Sequence, residues 1–252
     1  MDQAVRLGAV HSLQPVIILV RPQMGENIGA AARAMMNCCL MELRLVAPRG
    51  GWPEKLHNRA YATASGAERV LDEVKIYDRL AEATVDLHFS FATTSRPREQ
   101  VREIFTPTAA AESAREKIAA AQKVGFIFGP ERTGLENTDL MHANATIQIP
   151  LNPEYASLNL AQAVLLISWE FLRTGDATPP MQLPLGNAMP AVQQEVDFFL
   201  NRLITQLDPT GFFTSPEQKP QMLQNMAALF RRASLTDQEL RTLHGILTAL
   251  MN

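Results

Sequence analysis

Two five-residue runs constrain this chain most: Val-Ile-Ile-Leu-Val at 16–20 and Val-Gly-Phe-Ile-Phe at 124–128. Neither alternates polar with apolar residues, and the first is wholly apolar and rich in β-branched side chains. Such a run reads as a strand covered on both faces. Shorter apolar stretches at 43–47, 74–77, 87–92 and 146–149 repeat the theme. Segments with helical pattern lie between them: 27–40, rich in Ala and Met, then 53–64, 107–122 and 138–143. Strands alternating with helices at this spacing predict an α/β fold with a mostly parallel sheet flanked by helices. In such sheets ligands bind beyond the carboxyl ends of the strands. Three strand-ending loops stand out, after Ala92, after Phe128 and after Ile149. Topology alone makes them one converging site.

The stretch Asn152-Pro-Glu-Tyr-Ala-Ser-Leu-Asn-Leu-Ala-Gln-Ala163 feeds small polar residues into an apolar run at 161–172. That run predicts a well-buried helix of roughly four turns, begun by Ser157 and Asn159. From 176 to 190 the composition shifts to Pro and Gly, the mark of a linker. Beyond it, residues 192–207, 218–232 and 236–251 read as three amphipathic helices, the third capped by Ser234 or Thr236. The expected organisation is an α/β domain over 1–175, a linker over 176–190 and a small all-helical C-terminal extension over 191–252.

Composition bounds the rest. Hydrophobic residues at 46% and charged ones at 19% of 252 are ordinary for a soluble globular protein. No apolar run reaches the roughly 18 to 20 residues of a membrane span. Residues 1–14 lack a basic segment followed by an apolar core, so no signal peptide is expected and the cytoplasm is the natural compartment. The two cysteines, Cys38 and Cys39, are adjacent. Neighbours cannot staple a fold, and two thiols without a clustered His make no metal site. A net charge of −3 argues mildly against a strong nonspecific nucleic-acid binder. Yet Arg21, Arg33, Arg44, Arg49, Lys55, His57 and Arg59 give the first sixty residues a positive excess. No Gly-rich dinucleotide fingerprint, P-loop or nucleophile elbow occurs, and the five His residues form no cluster in sequence. Hydride transfer, P-loop phosphoryl transfer and zinc hydrolysis are therefore disfavoured.

Three stretches carry chemistry together. The first is Asn27-Ile-Gly-Ala-Ala-Ala-Arg33, where an arginine buried among alanines calls for an anionic or carbonyl partner. The second is Phe128-Gly-Pro-Glu-Arg-Thr-Gly-Leu135, two glycines bracketing a Glu-Arg pair in a turn that exposes backbone. The third is Ser157-Leu-Asn-Leu-Ala-Gln-Ala163. Each alone is a capped helix or a turn with a surface ion pair. In order, each after a strand, they resemble the three signature motifs of the SPOUT superfamily of S-adenosylmethionine-dependent RNA methyltransferases, in its ribose 2′-O-methylating branch. The tail, with Thr210-Gly-Phe212, Leu229-Phe-Arg-Arg-Ala233 and Leu243-His-Gly-Ile-Leu247, is similar to the C-terminal extension of the bacterial TrmJ-type tRNA methyltransferases. Asn152-Pro-Glu-Tyr155 is typical of the same group.

The resemblance implies a C-terminal trefoil knot in the sheet domain, which periodicity would never suggest because unknotted connections are the default. It also implies a homodimer, S-adenosylmethionine as cofactor, no metal, and tRNA as partner, modified on cytidine or uridine 32 of the anticodon loop. By motif position the cofactor contacts are Thr93, Thr94, Ser95, Gly129, Ile149, Ala156, Ser157 and Leu158. Arg33 takes the central catalytic role, with Asn27, Glu131 and Asn159 shaping the pocket, holding Arg33 or touching the ribose. An arginine is too weak an acid to act as a base, so its role is to orient phosphate and stabilise a developing alkoxide. Arg231, Arg232 and Arg241 are candidates for tRNA contact by the tail. The motifs report cofactor and chemistry rather than address, so another tRNA position, ribosomal RNA and a silent RNA-binding relative stay open as alternatives.

Overall fold

A computed structural model describes residues 14–53, 55–94, 103–178 and 186–251. The chain divides into two compact units, residues 1–177 and 178–252.

The first unit is built on seven described strands: β1 (Val16–Val20), β2 (Leu43–Val46), β3 (Lys75–Tyr77), β4 (Phe89–Thr93), β5 (Ile104–Phe105), β6 (Val124–Phe128) and β7 (Ala145–Ile147). Their order is β3-β2-β1-β6-β4-β7-β5 and every pairing is parallel. The helices are α1 (Gly25–Asn37), α2 (His57–Ala64), α3 (Glu68–Asp72), α4 (Leu80–Thr84), α5 (Pro107–Ala119), α6 (Asn137–Leu140) and α7 (Leu160–Arg173). All five residues of β1 are buried. Ile17 and Leu19 belong to one core with Ile28, Phe126, Val164 and Ile167, whereas Val16, Ile18 and Val20 join Leu80, Leu135 and Leu140. Alternation along a strand places these two sets on opposite faces, and both faces are covered. A fully buried Ile or Phe contributes roughly 1.5–3 kcal/mol, so this continuous apolar run anchors the whole sheet.

Several elements differ from expectation. Short helices α3 and α4 and strand β5 have too few residues for a periodic signal. Helix α1 begins at Gly25 with no side-chain cap, so Asn27 lies inside its first turn and its amide is free for other work. Helix α7 begins at Leu160: Asn159 is its cap, accepting from the amides of Ala161 and Gln162. It is also buried on one side only, with Val164, Ile167 and Phe171 inward and Leu165, Leu166 and Trp169 exposed. Helical spacing turns a continuous apolar run outward on its far side. Arg44, expected among surface cations, is instead buried at the amino-terminal region of the sheet. It donates to Glu42, to both oxygens of Asp86 and to the Ala83 carbonyl. Two glycines fix α1 on α2: a Cβ on Gly25 or Gly29 would stand 2.3 or 2.0 Å from the carbonyl oxygens of Leu56 and Ala60.

The second unit contains α8 (Gln193–Leu207), α9 (Lys219–Arg232) and α10 (Asp237–Leu250), close to the three expected helices. Val196, Phe199, Leu200, Leu240 and Leu247 form its core. Thr236 caps α10 in a reciprocal box with Glu239, which decides between the two expected cap residues. Part of the expected linker, 179–185, lies outside the described residues.

Candidate active site

Strand β1 lies between β2 and β6, so chain order reverses at this point in the sheet. Loops leaving strands on either side of such a reversal open a crevice. The loop after β1 carries Gln23 and Met24, and the loop after β6 carries Glu131. They meet: the Glu131 carboxylate accepts from the backbone amides of Gln23, at 3.1 Å, and Met24, at 3.3 Å. It also accepts from the Asn27 side chain at 2.8 Å. The Asn27 carbonyl oxygen in turn accepts from the Asn159 amide at 2.9 Å. Asn159 Oδ1 holds the α7 start, so the oxygen and the nitrogen of the Asn159 side-chain amide, like those of Asn27, each have a partner. Three stretches, the first more than a hundred residues before the other two, are thereby tied into one relay.

A second anchor stands behind it. Arg21, in the left-handed region at φ 47°, donates two hydrogen bonds to the buried Asp139, at 2.9 and 2.6 Å. These bonds raise the Arg21 pKa above its ordinary value. Asp139 also accepts from the Glu136 amide, closing the far end of the 129–136 loop. The near end is closed by Gly129, where a Cβ would sit 2.3 Å from the Leu135 nitrogen. Sequence reasoning missed this clamp, because Arg21 and Asp139 are 118 positions apart and neither sits in a motif.

Between the loops opens a cleft of about 400 Å³. Thr93, Thr94, Gly129, Glu131, Ile149, Ala156, Ser157 and Leu158, all expected at the site from sequence, line it, together with the motif residues Arg132 and Ala163, given no role there, and Leu151, which sequence did not single out. Ser95 lies outside the described residues. Asn27 and Asn159 stand behind the lining and brace Glu131. Arg33 corrects the sequence reading of a buried arginine: it is exposed on α1, outside the cleft lining, and pairs with no described residue. Its neighbours Ala31, Ala32 and Ala34 are buried, because successive residues of a helix point in different directions. Ser157 likewise keeps its hydroxyl free of described partners.

The cleft suits a small molecule with an apolar part and hydrogen-bonding groups. Its volume falls in the ordinary ligand range, Ile149, Leu151 and Leu158 offer apolar surface, and the 129–135 turn presents backbone groups. Residues 14–169 match the model of the SpoU rRNA Methylase family. The chain belongs to that family. Residues 194–252 match the TrmJ C-terminal domain of tRNA methyltransferases. The solved TrmJ from Z. mobilis ZM4 is 42% identical, with 95% of this chain and 100% of that one covered and a TM-score of 0.82. A tRNA (cytidine/uridine-2′-O-)-methyltransferase TrmJ of Salmonella choleraesuis is 35% identical over 93% of this chain and 95% of its own. The SpoU methyltransferase AviRb of Streptomyces viridochromogenes, solved with AdoMet, is 17% identical, covering 69% of this chain and 62% of its own at a TM-score of 0.50. That likeness is one of fold. In this SpoU-family chain the relay and the cleft thus occupy the motif positions that the sequence singled out.

Proposed function

We propose that this protein transfers a methyl group from S-adenosylmethionine to a ribose 2′-hydroxyl of tRNA, at cytidine or uridine 32 of the anticodon loop. The observation that carries the reading is the Asn159–Asn27–Glu131 relay standing against a ligand-sized cleft. The TrmJ-type tail favours tRNA over other RNAs. When bound, S-adenosylmethionine supplies a methyl on a positively charged sulfur: the O–CH₃ bond forms as the S–CH₃ bond breaks, and the hydroxyl proton leaves to a phosphate oxygen or water.

The chain's residues do the rest by position. Thr93, Thr94, Ser95, Gly129, Ile149, Ala156, Ser157 and Leu158 hold the cofactor, largely through backbone. Glu131 fixes the β1 and β6 loops against each other. Arg33, charged, exposed and without a partner among the described residues, can take an RNA phosphate and steady the developing alkoxide. A trefoil knot of the β6–α7 segment would give these loops their convergence; the neighbouring placement of β6, β4 and β7 supports it. Helix α7 exposes Leu165, Leu166 and Trp169 in one stripe, and a second copy of the chain is the natural cover. In the tail, Arg231 and Arg241 pair with Asp197 and Asp237, which leaves Arg232 the freest of the three to reach tRNA. Among the described residues no helix is long and apolar enough to cross a membrane, and a tRNA substrate assigns the protein to the cytoplasm. Product analysis on an unmodified tRNA transcript tests the reading. Methylation at position 32 supports it, and absence of any 2′-O-methyl product overturns it.

A further inference from the structure

Most described cations of the first unit are already committed to a carboxylate, a main-chain oxygen or a ring. Arg33, Arg49, Lys55 and Arg132 are the exceptions, all exposed and without a described partner. Two of the four sit in one loop between β2 and α2, whose described residues are 47–53, 55 and 56. The loop is bent sharply by three left-handed residues, Ala47, Gly50 and Gly51. The Arg49 amide donates to the Pro22 carbonyl at 2.9 Å. Pro22 immediately precedes Gln23, whose own amide holds Glu131. The loop therefore sits one residue away from the catalytic relay.

It also carries rings. Trp52, His57 and Tyr61 form a ladder with centroid separations of 5.4 and 4.2 Å, and each is half-exposed. Tyr61 is held at its far end by Asp72, at 2.5 Å. The close packing at Gly25 and Gly29 fixes α2, and so the ladder, on the helix that bears Arg33. Exposed cations beside an aromatic platform are what binds unpaired nucleotides: phosphates meet the charges and bases stack on the rings. Duplex RNA hides its base faces and would use only the charges.

We propose that the described residues of this loop, 47–53, 55 and 56, with the ring ladder, are the docking surface for the unpaired nucleotides next to the methylated ribose. Arg49 and Lys55 take phosphates, and a base stacks on Trp52. The inference rests on the RNA methyltransferase reading and adds the surface that reading lacks.

The test uses the full chain with Arg49→Gln and Lys55→Gln together. The wild type is titrated with tRNA transcript at several salt concentrations, and cofactor affinity is followed by calorimetry. The expected result is tRNA binding weakened at least tenfold, a salt slope shallower by about 1.4 for two single-strand phosphates, and unchanged S-adenosylmethionine affinity. In a Trp169→Phe background, leaving Trp52 as the single tryptophan, a single-stranded oligoribonucleotide should quench its fluorescence more than a duplex does. Wild-type affinity and slope in the double variant would overturn the proposal while leaving methyl transfer intact. Loss of cofactor binding in parallel would overturn it too, marking the loop as part of the fold. A wild type that binds no RNA would sink this inference and the underlying reading together.

Discussion

Asn159 donates its side-chain amide to the Asn27 carbonyl oxygen across 2.9 Å, joining residues 132 positions apart. Asn27 is 8% exposed and passes the constraint on to Glu131. Cutting this link leaves buried polar atoms unsatisfied, which costs about 1–3 kcal/mol. Asn27→Ala should therefore lower unfolding free energy by about that amount. It should also reduce single-turnover methyl transfer more than cofactor affinity. Denaturant unfolding and calorimetry read the two effects apart.

Gly129 allows the 129–135 turn to fold onto itself. A methyl group there would meet the Leu135 nitrogen at 2.3 Å, a backbone atom that cannot swing aside. Gly129→Ala should open the turn and abolish measurable S-adenosylmethionine binding in calorimetry, with the β-sheet circular dichroism retained. Full affinity would show that the turn is not a cofactor wall.

The buried Arg44 makes stability depend on acid. Its hydrogen bonds hold the Asp86 carboxyl well below the usual carboxylate range, outweighing the opposing effect of burial. A depressed carboxylate contributes stability that is complete above its unfolded value, about pH 4, and lost as pH falls through the folded value. Asp86→Asn should flatten the decline in stability below about pH 4, while lowering stability at neutral pH. Urea midpoints between pH 2.5 and 7 check the slope.

Helix α7 should be a dimer contact through Leu165, Leu166 and Trp169. Replacing Trp169 with Glu puts a charge at the centre of that stripe, where an unpaired buried charge is costly. Sedimentation equilibrium should move from dimer toward monomer. A wild type that is monomeric at working concentrations would remove the proposal.

Much of this fold was readable because burial on both faces leaves continuous apolar runs, as at Val16–Val20 and Val124–Phe128. The cleft lining was readable for another reason, the resemblance of three spaced motifs. Other features had no local signal. Arg21 and Asp139 are polar residues whose pairing depends on the turn geometry at φ 47°. Arg44 looks like any basic residue in a strand until Glu42 and Asp86 close around it. Arg33 misled in the opposite sense: alanine neighbours suggested burial, but helical spacing turns it to solvent.

The most direct measurement is nucleoside mass spectrometry of an unmodified tRNA transcript incubated with S-adenosylmethionine and either wild-type protein or Arg33→Ala. The account predicts a 2′-O-methyl nucleoside at position 32 with the wild type. For Arg33→Ala it predicts a loss of about 10²-fold or more, with cofactor affinity unchanged, as for removal of a preorganised charge-stabilising group. A wild type that binds S-adenosylmethionine but methylates no ribose, or an Arg33→Ala variant that methylates at the wild-type rate, would contradict it.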